Sequence, residues 1–115
     1  MGSIKWLMLA AVPFGAGCAT ASLNPNRIPD AQASIKEAEA AGADKLPESS
    51  NYLKLAKEKL AEGQQFASTG DNARADMILL CSVEDANLAK QTAEYERLRA
   101  EYQEIQARLK ALGGN

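Results

Sequence analysis

The sequence predicts an all-α fold: a short helix followed by a long antiparallel helical hairpin, with the third helix extended by coiled-coil-like heptads. Three observations carry this. Alanine supplies much of the apolar content, and aromatic residues make up only 5% of the chain. Apolar residues recur at helical spacings of three and four. The strong helix breakers fall in a few places, and none interrupts 72–112.

The first element precedes the fold. Met1 to Phe14 carries one cation, Lys5, and then the apolar run Trp6 to Val12. That run is too short for a bilayer core, which needs about 20 residues, so residues 1–17 read as an export leader. Gly15-Ala16-Gly17-Cys18 resembles a bacterial lipobox, in which Cys18 is acylated and becomes the new N-terminus. Gly15 departs from that pattern, which favours a leucine-like residue there. Ala19-Thr20-Ala21 offers the alternative, an A-x-A cut that would discard Cys18 and release a soluble protein. Lipidation would attach the chain firmly, since stable anchoring takes more than one acyl chain. The absence of Asp after Cys18 favours the outer membrane, facing the periplasm.

Residues 18–29, rich in Asn, Pro and Ser towards their end, read as a lipidated tether. The stretch from Ala19 to Pro29 would extend about 35–40 Å. A helical domain is expected over 30–93. Asp30 is the expected N-cap of its first helix, Ala31, Ile35 and Ala38 its apolar stripe, and Gly42 its stop. Pro47 suits the first turn of the second helix. Tyr52, Leu53, Ala56, Leu60, Gly63 and Ala67 trace one face of that helix. Gly70-Asp71 is the next stop and start: a left-handed C-cap, then an N-cap. The third helix should run from Asn72 to Leu112 and overshoot the second by about five turns, at 1.5 Å per residue. Residues 94–115 are therefore expected as a protruding helix end and tail.

The sharpest candidate site lies on that overshoot. Tyr95, Leu98, Tyr102, Ile105, Leu109 and Leu112 alternate spacings of three and four, the a/d seam of a coiled coil. Continued backward, the seam meets Leu88, Cys81 and Met77, and also polar Gln91 and Glu84. Such a seam suits a homo-oligomer or a protein partner; the alternative is a stripe covered by the first two helices. Cys81 is expected as a small buried residue between helices; the alternative is an unpaired thiol that forms an intermolecular disulfide in an oxidising periplasm. Asp76, Glu84 and Asp85 are expected on a solvated helix face.

Composition narrows the functions. The chain holds 13 Lys and Arg against 15 Asp and Glu, and removing the leader takes away Lys5 alone. No basic patch points to nucleic acid. There is no histidine, so the commonest general base and metal ligand are missing. Ser49, Ser50 and Ser82 have no evident base, and no calcium loop or phosphate loop occurs. No catalytic residue, metal, cofactor or small-molecule substrate is expected.

The segments Ala38-Glu39-Ala40-Ala41-Gly42-Ala43, Pro47, Leu55-Ala56-Lys57-Glu58-Lys59-Leu60, Gly70-Asp71 and Asp85-Ala86-Asn87-Leu88-Ala89 resemble an alanine-rich bacterial lipoprotein domain of unknown function. The resemblance covers roughly Asp30 to Ala93. It implies a helical fold and an envelope location, and it brings no catalytic residues. Members sometimes precede a peptidoglycan-binding domain, and none is expected to follow here. The hairpin also looks like one tetratricopeptide unit, although a solenoid needs about three or more repeats. These expectations add up to an envelope scaffold, adaptor or assembly factor. An accessory module binding peptidoglycan or another envelope polymer is the alternative.

Overall fold

The computed structural model describes residues 21–113, in which three α-helices account for nearly all the regular structure. Helix α1 spans Arg27–Ala40, α2 spans Pro47–Ser68 and α3 spans Asn72–Gly113; a short 3₁₀ turn, Ala43–Lys45, links α1 to α2. No strand occurs among the described residues.

The start of α1 corrects the expectation. The helix begins at Arg27, so Arg27 to Pro29 belong to it and the stretch ahead of it is three residues shorter. Asn24 organises the entry: its side-chain oxygen accepts from the Asn26 N–H at 3.0 Å, and its carbonyl accepts from the Arg27 N–H at 3.1 Å. Asp30 sits in the first turn instead of capping it, where its charge still complements the helix dipole. Pro29 is tolerated there because a first-turn N–H has no intrahelical acceptor. At the other end Gly42 adopts φ +85°, the left-handed stop expected of it.

Helix α2 opens at Pro47 as expected. It ends in a complete Schellman turn. The Gly70 N–H donates to the Ala67 carbonyl at 3.2 Å, and the Asp71 N–H to the Phe66 carbonyl at 3.0 Å. Gly70 takes φ +83°. The Asp71 carboxylate then accepts from the Arg74 N–H at 3.3 Å and caps α3. Arg74 returns over the Phe66 ring, 5.0 Å from its centroid, and closes the turn.

The core is built from small residues. Along α3 the buried positions are Ala75, Leu79, Ser82, Ala86, Ala89 and Ala93, a heptad of mostly alanine. Facing them are Ala31, Ile35 and Ala38 of α1 and Leu53, Ala56 and Gly63 of α2. Small side chains let the helices approach closely. At Gly63 an added β-carbon would lie 2.6 Å from Leu79 Cγ, so the leucine fills the space the glycine leaves. The close approach also lets Ser82 donate to the Ala56 carbonyl across the α2–α3 interface at 2.7 Å. Ser49 donates to the Ala43 carbonyl at 3.1 Å and fastens the 3₁₀ turn to α2.

Ion pairs girdle this thin core. Arg27 of α1 meets Asp76 of α3, Lys59 of α2 meets Asp85 of α3, Lys57 of α2 meets Glu39 of α1, and Lys90 of α3 meets Glu37 of α1. The expectation of a merely solvated face for Asp76 and Asp85 is therefore corrected: both are half-buried and tie helices together. Their hydrogen bonds hold the Lys59 ammonium, through Asp85, and the Arg27 guanidinium, through Asp76, above their ordinary pKa values. Glu37 does the same for Lys90. Each pair contributes modestly, because solvent screens it.

Candidate functional site: an uncovered helix face

Length mismatch creates the site. Helix α2 has 22 residues and α3 has 42, or about 33 Å against about 63 Å at 1.5 Å per residue. Because the two run antiparallel from the turn at Gly70, the far end of α3 has no helix beside it among the described residues. Among the described residues Ala93 is the last buried one, and every residue from Arg97 to Gly113 is exposed.

The six expected interface residues all lie on this overhang or at its root. Tyr95 is 64% exposed, Leu98 58%, Tyr102 63%, Ile105 54%, Leu109 59% and Leu112 87%. The alternative of cover by α1 and α2 is thus ruled out for these positions. Direction matters as much as reach. At about 100° per residue, the seam points roughly 150° round the helix from the Ala86 stripe that packs on α1 and α2. The apolar overhang is not a continuation of the core stripe but a second face, turned away from the hairpin.

The same outward face runs back along α3. Met77, Leu80 and Leu88 are exposed on it. Cys81 is exposed there too and free of any disulfide. The expectation that Cys81 is buried between helices is corrected by its neighbour. Ser82, one residue or about 100° onward, takes the core position and leaves the thiol outside.

Charge on the overhang is partly committed. Arg108 pairs with Glu104 one turn before it, and Gln106 donates to the Tyr102 hydroxyl at 3.0 Å. Glu94, Arg99 and Glu101 make no ion pair among the described residues.

Other chemistry is sparse. A shallow open groove beside the start of α2 is lined by Asp44, Ser50, Leu53, Lys54, Lys57 and Glu58, with no aromatic side chain. Among the described residues no group of three metal-ligating side chains converges. No described helix is long and apolar enough to cross a membrane. The buried serines, Ser49 and Ser82, are occupied with backbone carbonyls; sequence reasoning missed this bracing role, whose only signal was a serine at a core-facing heptad position. Cys18, the expected lipidation site, lies outside the described residues.

No curated protein and no solved structure matches the chain significantly. A family match spans residues 26–105, most of the described structure. It runs past Ala93, the limit expected from the sequence, and takes in the overhang as far as Ile105. The chain belongs to the family defined as a domain of unknown function, DUF4398.

Proposed function

We propose that this protein is a non-catalytic envelope lipoprotein that acts as a scaffold, adaptor or assembly factor through helix–helix contact on the outer face of α3. The observation that carries the reading is the row from Tyr95 to Leu112, six large apolar side chains left uncovered at heptad spacing. A contiguous apolar row in water is costly and marks a surface that something else covers. The family match adds weight, because the overhang belongs to the matched unit up to Ile105.

The membrane part of the reading rests on the leader and on Cys18, followed by Ala19. An acylated Cys18 and the short stretch to Asn26 would hold the hairpin near an outer-membrane surface facing the periplasm. In that arrangement the anchor and the seam are separate devices: one fixes position, the other recruits.

Two variants test the reading. Cys18→Ser should block acylation and remove the protein from the detergent-soluble membrane fraction, and intact mass of the wild type should show a mature chain beginning at acylated Cys18. A soluble wild-type product starting at Ser22 would overturn the anchor. Leu98→Asp with Ile105→Asp puts charge into the seam without touching α1 or α2. It should abolish the chain's crosslinks in the native envelope while the hairpin stays helical. Crosslinks unchanged by the double substitution would overturn the seam as an interface. Retention of the double variant on purified sacculi at wild-type level, with no protein crosslink lost, would favour the polymer-binding alternative instead.

A further inference from the structure

We infer that the occupant of the seam is a second copy of this chain, its α3 lying parallel and in register over Leu88 to Leu112. This rests on the reading of the seam as an interface and names the partner.

Heptad positions are set by the exposed side chains. Leu88, Tyr95, Tyr102 and Leu109 fall at a, and Gln91, Leu98, Ile105 and Leu112 at d. In a parallel, in-register pair the flanking g position of one chain faces the next e position of the other. Glu94 then meets the partner's Arg99, and the two-fold axis repeats the contact. Both residues are free of ion pairs within the described chain. Glu101 meets the partner's Gln106, so no like charges are opposed. The face complements itself.

The antiparallel arrangement fits less well. Centred on the same six residues, it brings Glu101 to the partner's Arg108, which Glu104 already holds within its own chain. It also leaves Leu88, 41% exposed, beyond the end of the partner helix. In the parallel register Leu88 is covered. Gln91 supplies a single polar layer, the device that fixes register in such pairs. One heptad earlier Glu84 would face its own copy, and that repulsion ends the zipper near Leu88.

Size and sterics agree. The exposed parts of the six side chains come to about 600 Å² per copy, at about 150–200 Å² for a full large side chain. A pair would bury about 1,200 Å², the lower bound for a specific interface. The packing face for α1 and α2 lies on the other side of α3, so two hairpins sit back to back without collision. Anchoring both copies in one membrane would raise their effective concentration and orient them alike, which favours a parallel pair of modest affinity.

The test uses the full-length chain in its native membrane, with the exposed Cys81 removed by Cys81→Ser. Leu98→Cys in that background should form a disulfide-linked dimer on mild oxidation, because facing d positions approach within the roughly 7 Å that a disulfide allows. Glu104→Cys, on the outer side of the helix, should not. Crosslinking of Leu98→Cys chains to Leu109→Cys chains, and not to themselves, would overturn the parallel register. A detergent-solubilised chain that sediments as a monomer, with no Leu98→Cys disulfide, would overturn self-pairing. If Leu98→Asp with Ile105→Asp still abolished envelope crosslinks in that case, a different protein would occupy the seam and the broader reading would stand. If it did not, both would fall.

Discussion

Gly63→Ala is a stringent probe of the packing. Within a helix, alanine in place of glycine ordinarily stabilises by about 1 kcal/mol. Here the new methyl would sit 2.6 Å from Leu79 Cγ and 2.7 Å from Leu79 Cδ2. Ordinary carbon contacts are about 3.5–4.0 Å, so one side must move by about 1 Å. Leu79 is fully buried between helices and has little room to yield. Overpacking of this kind costs about 1–3 kcal/mol, so after the helix gain Gly63→Ala should fall between neutral and about 2 kcal/mol destabilising. For a domain of this size that lowers Tm by about 4–8 °C per kcal/mol. Leu79→Ala alone should cost about 2–5 kcal/mol by opening a cavity. In that background the clash is gone, so Gly63→Ala should stabilise by about 1 kcal/mol. Thermal unfolding of the four members of this double-mutant cycle, followed by circular dichroism, measures the coupling. A Gly63→Ala protein more stable than wild type, or two effects that simply add, would refute tight α2–α3 packing at this point.

Two further outcomes follow from the turn and the ion pairs. Gly70→Ala places a β-carbon at φ +83° in open space, so its cost is backbone strain alone, about 1 kcal/mol. Asp71→Ala loses the α3 cap, about 0.5–2 kcal/mol, and the two together should lower Tm by several degrees in thermal melts. Lys59 is held above the ordinary lysine value of about 10.5 by its hydrogen bond to Asp85. A raised lysine pKa contributes stability that is full below its unfolded value and fades as pH rises through the folded one. The Tm gap between wild type and Lys59→Met should therefore be constant near neutrality and close above about pH 10.5. A gap that persists at pH 12 would mean the pair contributes through packing of the lysine stem alone.

Much of this fold was legible because its punctuation is strong. Pro47, Gly42 and the Gly70-Asp71 pair mark their helix ends through backbone conformations that few other residues accept. The start of α1 was not legible from Asp30, since Asn24 offers a local hydrogen bond three residues before the helix and takes over the entry. The core face of α3 was the harder problem. Sequence periodicity weights large residues, and here Met77, Leu80 and Leu88 point outward while Leu79 alone among the large ones joins the alanines and Ser82 in the contacts. In a hairpin packed this closely, small residues belong at the interface, so the large ones mislead. The ion pairs of Asp76 and Asp85 depend on the register between helices, which one-dimensional spacing does not carry. The overhang was legible for a simpler reason: two antiparallel helices joined by a tight turn cannot cover each other when one is about twice as long.

On the proposed function, α3 beyond Ala93 is covered in the working protein although it is bare in the single chain. Backbone hydrogen exchange of the intact protein in its native membrane measures this most directly. Amides from Tyr95 to Leu109 should exchange nearly as slowly as those of the paired segment from Leu79 to Ala93. Leu98→Asp with Ile105→Asp should return them to the fast exchange of a frayed helix while Leu79 to Ala93 stay protected. Fast exchange of the overhang in the wild-type protein, orders of magnitude above the paired segment, would show that nothing covers the seam and that the outer face of α3 is not an interface.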